Sequence, residues 1–120
     1  MISYIATVGV YVDDQDAAEK FWIEKVGLEV KKKESMGPNA NWLEIGPKDA
    51  QSNLVVYPRS MMKNWAELKP SIVFVCENFE ETYNKLKKNG VELIGEPEKM
   101  QWGTFVKFKD IDGNEFLLKG

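Results

Sequence analysis

Apolar and polar positions change period several times along the chain, and each change marks an element. From 4 to 14, "YIATVGVYVDD" sets Val8, Val10 and Val12 in step among β-branched and aromatic residues, the pattern of a strand that ends at two acids. The spacing then turns helical. Ala17, Ala18, Phe21, Trp22 and Val26 recur at intervals of one, three and four, acids fill the first turn, Asp14 stands as a cap, and Lys25 and Gly27 close the segment. "LEVKKKES" (28–35) predicts a strand broken by "GPN", and "WLEIG" (42–46) and "NLVVYP" (53–58) predict two more, ended by Pro47 and Pro58. Residues 59–69 carry Met61, Met62 and Trp65 and read as a linker, with a lid over an apolar ligand as the alternative.

The pattern then restarts. A strand and a helix occupy 71–94, with Phe79, Tyr83 and Leu86 on one helical side and Asn89-Gly90 as the stop. "VELIGEP", "WGTFVKFKD" and "NEFLLKG" predict three further strands, the last pair joined by a tight turn in "DIDGN". Shifting the chain by 63 residues lays "VYVDDQDAAEKFWIEKVGLEV" over "VFVCENFEETYNKLKKNGVEL" with five identities in 21, among them Gly27 with Gly90. The chain is therefore expected to be α+β: two βαβββ modules in tandem, about 1–58 and 70–120, forming curved mixed sheets around a cleft with helices on the outer face.

Composition narrows the chemistry. The 120 residues, 43% hydrophobic, suffice for one domain spanning 1–120, and a net charge of −3 with both signs interspersed offers no basic stripe to nucleic acid. No window approaches a membrane span and no leader is evident at the N-terminus, so a soluble, cytoplasmic protein is expected. Histidine is absent and Cys76 is the single cysteine, which excludes imidazole chemistry, serine–histidine or cysteine–histidine catalysis within one chain, and the usual zinc clusters. Cys76 lies in the apolar run "SIVFVCENF" and is expected to be a small buried hydrophobe.

Strand alternation proposes a pocket. With Val8, Val10 and Val12 toward the helices, Thr7, Gly9 and Tyr11 face the cleft, and in the second module Ile72 and Phe74 do the same. Trp42 and Glu44 share the cleft face of their strand while Leu43 and Ile45 take the other; Tyr57 looks inward with Val55; Trp102 stands as a cleft wall or as core. Phe21 and Trp22 belong to core or interface packing, and Lys31, Lys32 and Lys33 to a solvated sheet edge. Asp110, Asp112 and Asn114 read as turn chemistry, and Glu115 stays open as a ligand.

The doubled unit, "VGVYVDDQDAAEKFWIEKVGLEV", "VFVCENFEETYNKLKKNGVELIGEP" and the closing "WGTFVKFKDIDGNEF" resemble, over essentially the whole chain, the vicinal oxygen chelate superfamily of glyoxalase I, extradiol dioxygenases, and fosfomycin- and bleomycin-resistance proteins. "DIDGNEF" is similar to that family's Asp-Pro-Asp-Gly-Asn turn, with Ile111 in place of proline. The resemblance implies four metal ligands, one from each of four strands, and carries them onto Thr7, Val55, Pro70 and Leu117. Those side chains do not make a divalent-metal site, so no metal and no cofactor are expected, and Leu117 becomes pocket wall. The reading that follows is a homodimer binding a small, partly apolar molecule in its cleft, as the bleomycin-resistance type does by sequestration. The alternatives are a lyase or dioxygenase-type enzyme with a non-standard or metal-free site, its catalytic residues unknown, and a protein-interaction module.

Overall fold

In the computed structural model, which describes residues 7–62, 67, 69, 72–101 and 103–120, the alternation in "TVGVYV" becomes strand β1 (Thr7–Val12), with Val10 and Val12 fully buried. Asp14 then leaves the strand, and its Oδ1 accepts from the backbone N–H groups of Asp16 and Ala17, capping helix α1 (Gln15–Lys20). The helix widens into a π-helical turn, Phe21–Val26, where the Gly27 N–H donates to the Trp22 carbonyl. Gly27 ends it at φ +86°, a backbone that a side chain would strain.

Strands β2 (Glu29–Gly37), β3 (Ala40–Gly46) and β4 (Asn53–Pro58) complete a sheet of order β1-β4-β3-β2, with β4 parallel to β1 and the other pairs antiparallel. The predicted break at "GPN" is narrower than expected. β2 runs on to Gly37, which pairs with Ala40, so Pro38 and Asn39 form a two-residue hairpin turn. Helix α1 packs on β3 and β4, and Ala18, Phe21 and Trp22 are buried along with Val10, Val12, Leu43, Ile45, Leu54 and Val56. Phe21 and Trp22 are thus core, their rings edge to face at 5.1 Å. The lysine run is a charged edge: Lys33 lies 2.9 Å from Glu19, whose hydrogen bond and charge hold the ammonium above its usual pKa, and Lys31 donates to the Lys48 carbonyl.

The second sheet repeats the plan. Strands β5 (Val73–Val75), β6 (Glu92–Met100), β7 (Gly103–Lys109) and β8 (Glu115–Lys119) take the order β5-β8-β7-β6, again with the last strand parallel to the first, and α2 (Phe79–Lys88) follows β5. Leu86, Val91, Val106, Phe108, Phe116 and Leu118 form its core. The chain divides into two compact units, Met1–Pro70 and Ser71–Gly120, each with one sheet and one α-helix among the described residues. Among the described residues no helix is long and apolar enough to cross a membrane.

The shift of 63 needs a correction. Asn78 caps α2 through its side chain, accepting from Glu81 N–H, as Asp14 caps α1, and these caps stand 64 residues apart while Gly27 and Gly90 stand 63 apart. The π-helical turn absorbs the extra residue in the first helix. Ahead of the helices Val10 therefore corresponds to Phe74, not to Val73. Phe74, expected toward the cleft, instead contacts the rings of Phe108 and Phe116 at 5.9 and 5.8 Å in the core, whereas Val73 and Val75 are 53% and 76% exposed.

The closing turn is built on Asp110, 93% buried by its 7% exposure. Its Oδ1 accepts from the N–H groups of Asp112 and Asn114 at 3.0 and 2.8 Å, its Oδ2 accepts from Asn114 Nδ2, and Gly113 takes φ +81°. These bonds satisfy the turn's own donors, the structural role expected for the acid. Replacement Asp110→Ala should lower unfolding free energy by about 2–3 kcal/mol, since several bonds to a charged acceptor go at once. Ile111→Ser on the exposed tip should change it by less than about 0.5 kcal/mol. Urea denaturation of both variants checks this, and equal effects would remove the assigned role.

Candidate functional site

The register of the first sheet decides what its second face carries. β1 pairs with β4 so that Thr7 meets Asn53, Gly9 meets Val55 and Tyr11 meets Tyr57, and β3 adds Glu44 opposite Val55. Since paired residues share a face, Thr7, Tyr11, Trp42, Glu44, Val55 and Tyr57 lie together on the side away from α1, as the alternation predicts. Val55 is buried and the other five are half-buried.

Three of these side chains interlock. Trp42 Nε1 donates to Glu44 Oε2 at 2.7 Å, which orients both, and the Tyr57 ring stands edge-on to Trp42 at 6.3 Å and 86°. The result is an aromatic corner beside a carboxylate. Tyr11 lies back along its own strand, and a Cβ on Gly9 would come within 3.1 Å of its hydroxyl, so the glycine makes room for the phenol. Lys32, opposite Glu44 on β2, has its Nζ 3.9 Å from Glu34.

The second sheet offers a different surface. Leu117 faces away from buried Phe116 and Leu118 and lines a hollow of about 270 Å³ with Ile94, Glu96, Glu98, Phe105 and Lys107. The hollow opens where β6 slips register between Ile94 and Glu98, next to Gly95 at φ +71° and Pro97. Sequence reasoning missed this bulge, although Gly95 and Pro97 within one strand were its signal. Glu115, held open as a ligand, lies 3.9 Å from Lys107 on the neighbouring strand. Trp102, Pro70 and Trp65 lie outside the described residues, and the short turn Arg59–Met61 holds Met61 exposed.

A polar hollow of about 520 Å³ was also missed, at the end of the first sheet where Asp13, Asp14, Gln15 and Asp16 face Asn39 and Asn41. Two of its three acids have structural partners: Asp14 caps α1, and Asp13 sits 3.3 Å from Arg59, which also donates to the Tyr11 carbonyl. Among the described residues no three histidine, cysteine, aspartate or glutamate side chains gather as a metal requires. Cys76 is half-buried rather than enclosed, and its thiol donates to the Lys119 carbonyl at 3.5 Å.

Comparison with known proteins gives a consistent picture. A model of the Glyoxalase/Bleomycin resistance protein/Dioxygenase superfamily matches residues 4–118. The protein YetH of Bacillus subtilis (strain 168) is 57% identical over 119 residues, 99% of either chain. A solved structure of a member of that superfamily from Sphaerobacter thermophilus DSM 20745 is 28% identical, with a TM-score of 0.87 over 98% of this chain and 97% of that one. TnmS3, an antibiotic binding protein from Streptomyces sp. CB03234, is 27% identical, with a TM-score of 0.83 over 98% and 95%.

The interlock can be measured directly. A double-mutant cycle between Trp42→Leu and Tyr57→Leu should return a coupling of about 0.5–1.5 kcal/mol from equilibrium unfolding. Additive losses would mean that the two rings do not support each other.

Proposed function

The chain belongs to the glyoxalase/bleomycin resistance protein/dioxygenase superfamily, and from that premise we propose that it binds a small, partly apolar, donor-bearing or cationic molecule without a metal, on the face built by Tyr11, Trp42, Glu44 and Tyr57. The observation that carries this reading is the Trp42–Glu44 hydrogen bond at 2.7 Å beside the edge-on Tyr57 ring. Two aromatic walls take a flat apolar body, and a carboxylate with one oxygen engaged by the indole turns the other toward a ligand N–H or positive charge. An antibiotic binding protein among the structural neighbours supports small-molecule binding as the role. Thr7 and Val55, where the family resemblance calls for ligating side chains, add a hydroxyl and an aliphatic surface to that face. The same reading takes the protein as a cytoplasmic homodimer that does not engage nucleic acid.

Proflavine, a planar aromatic cation, is a suitable probe. It should bind saturably, at the same affinity before and after EDTA treatment. Trp42→Ala and Glu44→Gln should each weaken it about fivefold or more, roughly 1 kcal/mol, and the second should also flatten the salt dependence. Unaltered binding in both variants would refute the site. Stoichiometric uptake of nickel, manganese or zinc, with ligand binding that requires it, would favour the enzyme reading instead.

A further inference from the structure

We infer that Gln15 is a positioning residue: its single side-chain amide sets the backbone immediately before both aromatic residues of the corner, and so sets the angle between Trp42 and Tyr57. Gln15 Nε2 donates to the Asn41 carbonyl at 2.7 Å and to the Val56 carbonyl at 2.8 Å, while its Oε1 accepts from the Asn41 N–H at 2.9 Å. Asn41 precedes Trp42, and Val56 precedes Tyr57. One carboxamide thus ties the first residue of α1 to β3 and to β4 across 26 and 41 positions of sequence.

The need for this clamp follows from Pro58. The β3–β4 pairing is made at Glu44–Val55 and Ile45–Leu54, and continued in the same register it would set Asn41 opposite Pro58. Proline has no N–H, so it cannot serve a facing carbonyl. The amide of Gln15 supplies both a donor and an acceptor to Asn41 in place of that rung, a combination which only a carboxamide or a protonated carboxyl offers among side chains of this length. The paired register stops at Glu44–Val55, so beyond it Gln15 ties the backbone ahead of Trp42 to that ahead of Tyr57, and without it the corner loses its fixed geometry. An aromatic wall contributes to recognition only when its neighbours hold it at a defined angle.

This role rests on the binding face proposed above, but its central test needs no ligand. Protein labelled with 5-fluorotryptophan, with the Trp42 resonance assigned through Trp42→Phe, reports the indole environment by fluorine NMR. In Gln15→Leu, which keeps the chain length and loses the amide, the Trp42 resonance should shift and broaden while that of buried Trp22 stays in place and circular dichroism confirms the fold. In Gln15→Glu at neutral pH the carboxylate faces two carbonyl oxygens and should behave like the leucine. As pH falls and the carboxyl gains a proton, it recovers one donor and one acceptor, so its Trp42 resonance should converge on that of wild type at the same pH. Proflavine affinity in Gln15→Leu should fall about two- to tenfold, the worth of one aromatic contact. An unmoved Trp42 resonance, an equal movement of Trp22, or no convergence at low pH would each overturn the positioning role. If the dye fails to bind wild-type protein, the binding reading falls, while the fluorine resonances still decide the role of Gln15.

Discussion

The parallel return of the last strand onto the first governs each unit. A βαβββ unit cannot close its sheet with hairpins alone, because its fourth strand must lie beside its first, and the register of that pair decides which side chains face the helix. In the first unit the pair sets Gly9 against Val55 and Tyr11 against Tyr57; in the second it sets Val73 against Leu117. A slip of one residue would send Val10 and Val12 outward and bring Tyr11 into the core. Burial of those two valines therefore specifies which side chains share the opposite face as firmly as it stabilises the sheet, since the side-chain period of a strand admits no intermediate.

The helix that bridges first and last strands has to fit this register, and the two units fit it differently. Between cap and closing glycine the first helix holds one residue more than the second, and the π-helical turn takes up the excess without moving either end. Two successive aromatics, Phe21 and Trp22, are both buried in that widened turn, whereas α2 buries the single Leu86. The extra residue thus goes with the two buried aromatics that the first helix itself contributes.

This insertion also explains what could be read from the sequence. The order of elements, the Asp14 cap and the alternation around Trp42, Glu44 and Tyr57 were legible because periodicity and capping are local signals. Matching the modules on Gly27 and Gly90 was correct behind the helices and one residue out ahead of them, so Phe74 was assigned to the wrong face. Extending the match to the caps Asp14 and Asn78 makes Ser71, not Pro70, the counterpart of Thr7. Nothing in "FWIEKV" separates a π-helical turn from an α-helical one, because the difference arises from packing between distant segments. Gln15 was invisible for the same reason: a glutamine in the first turn of a helix is unremarkable until Pro58 leaves a gap in the ladder 43 residues later.

The chemistry of the first face also follows from where its donors are used. Trp42 spends its N–H on Glu44, and Lys32 on the adjoining strand lies near Glu34, so the strongest hydrogen-bonding capacity left on that surface is acceptor capacity. On the reading proposed above, an amine, amidine or aromatic cation would meet a carboxylate beside two rings, with the hydroxyls of Thr7, Tyr11 and Tyr57 on the same face as further polar groups. Lys32 faces Glu44 across the β2–β3 pair while its ammonium lies 3.9 Å from Glu34, and the indole engages one oxygen of Glu44, so the second oxygen is the one through which that carboxylate can accept a further donor.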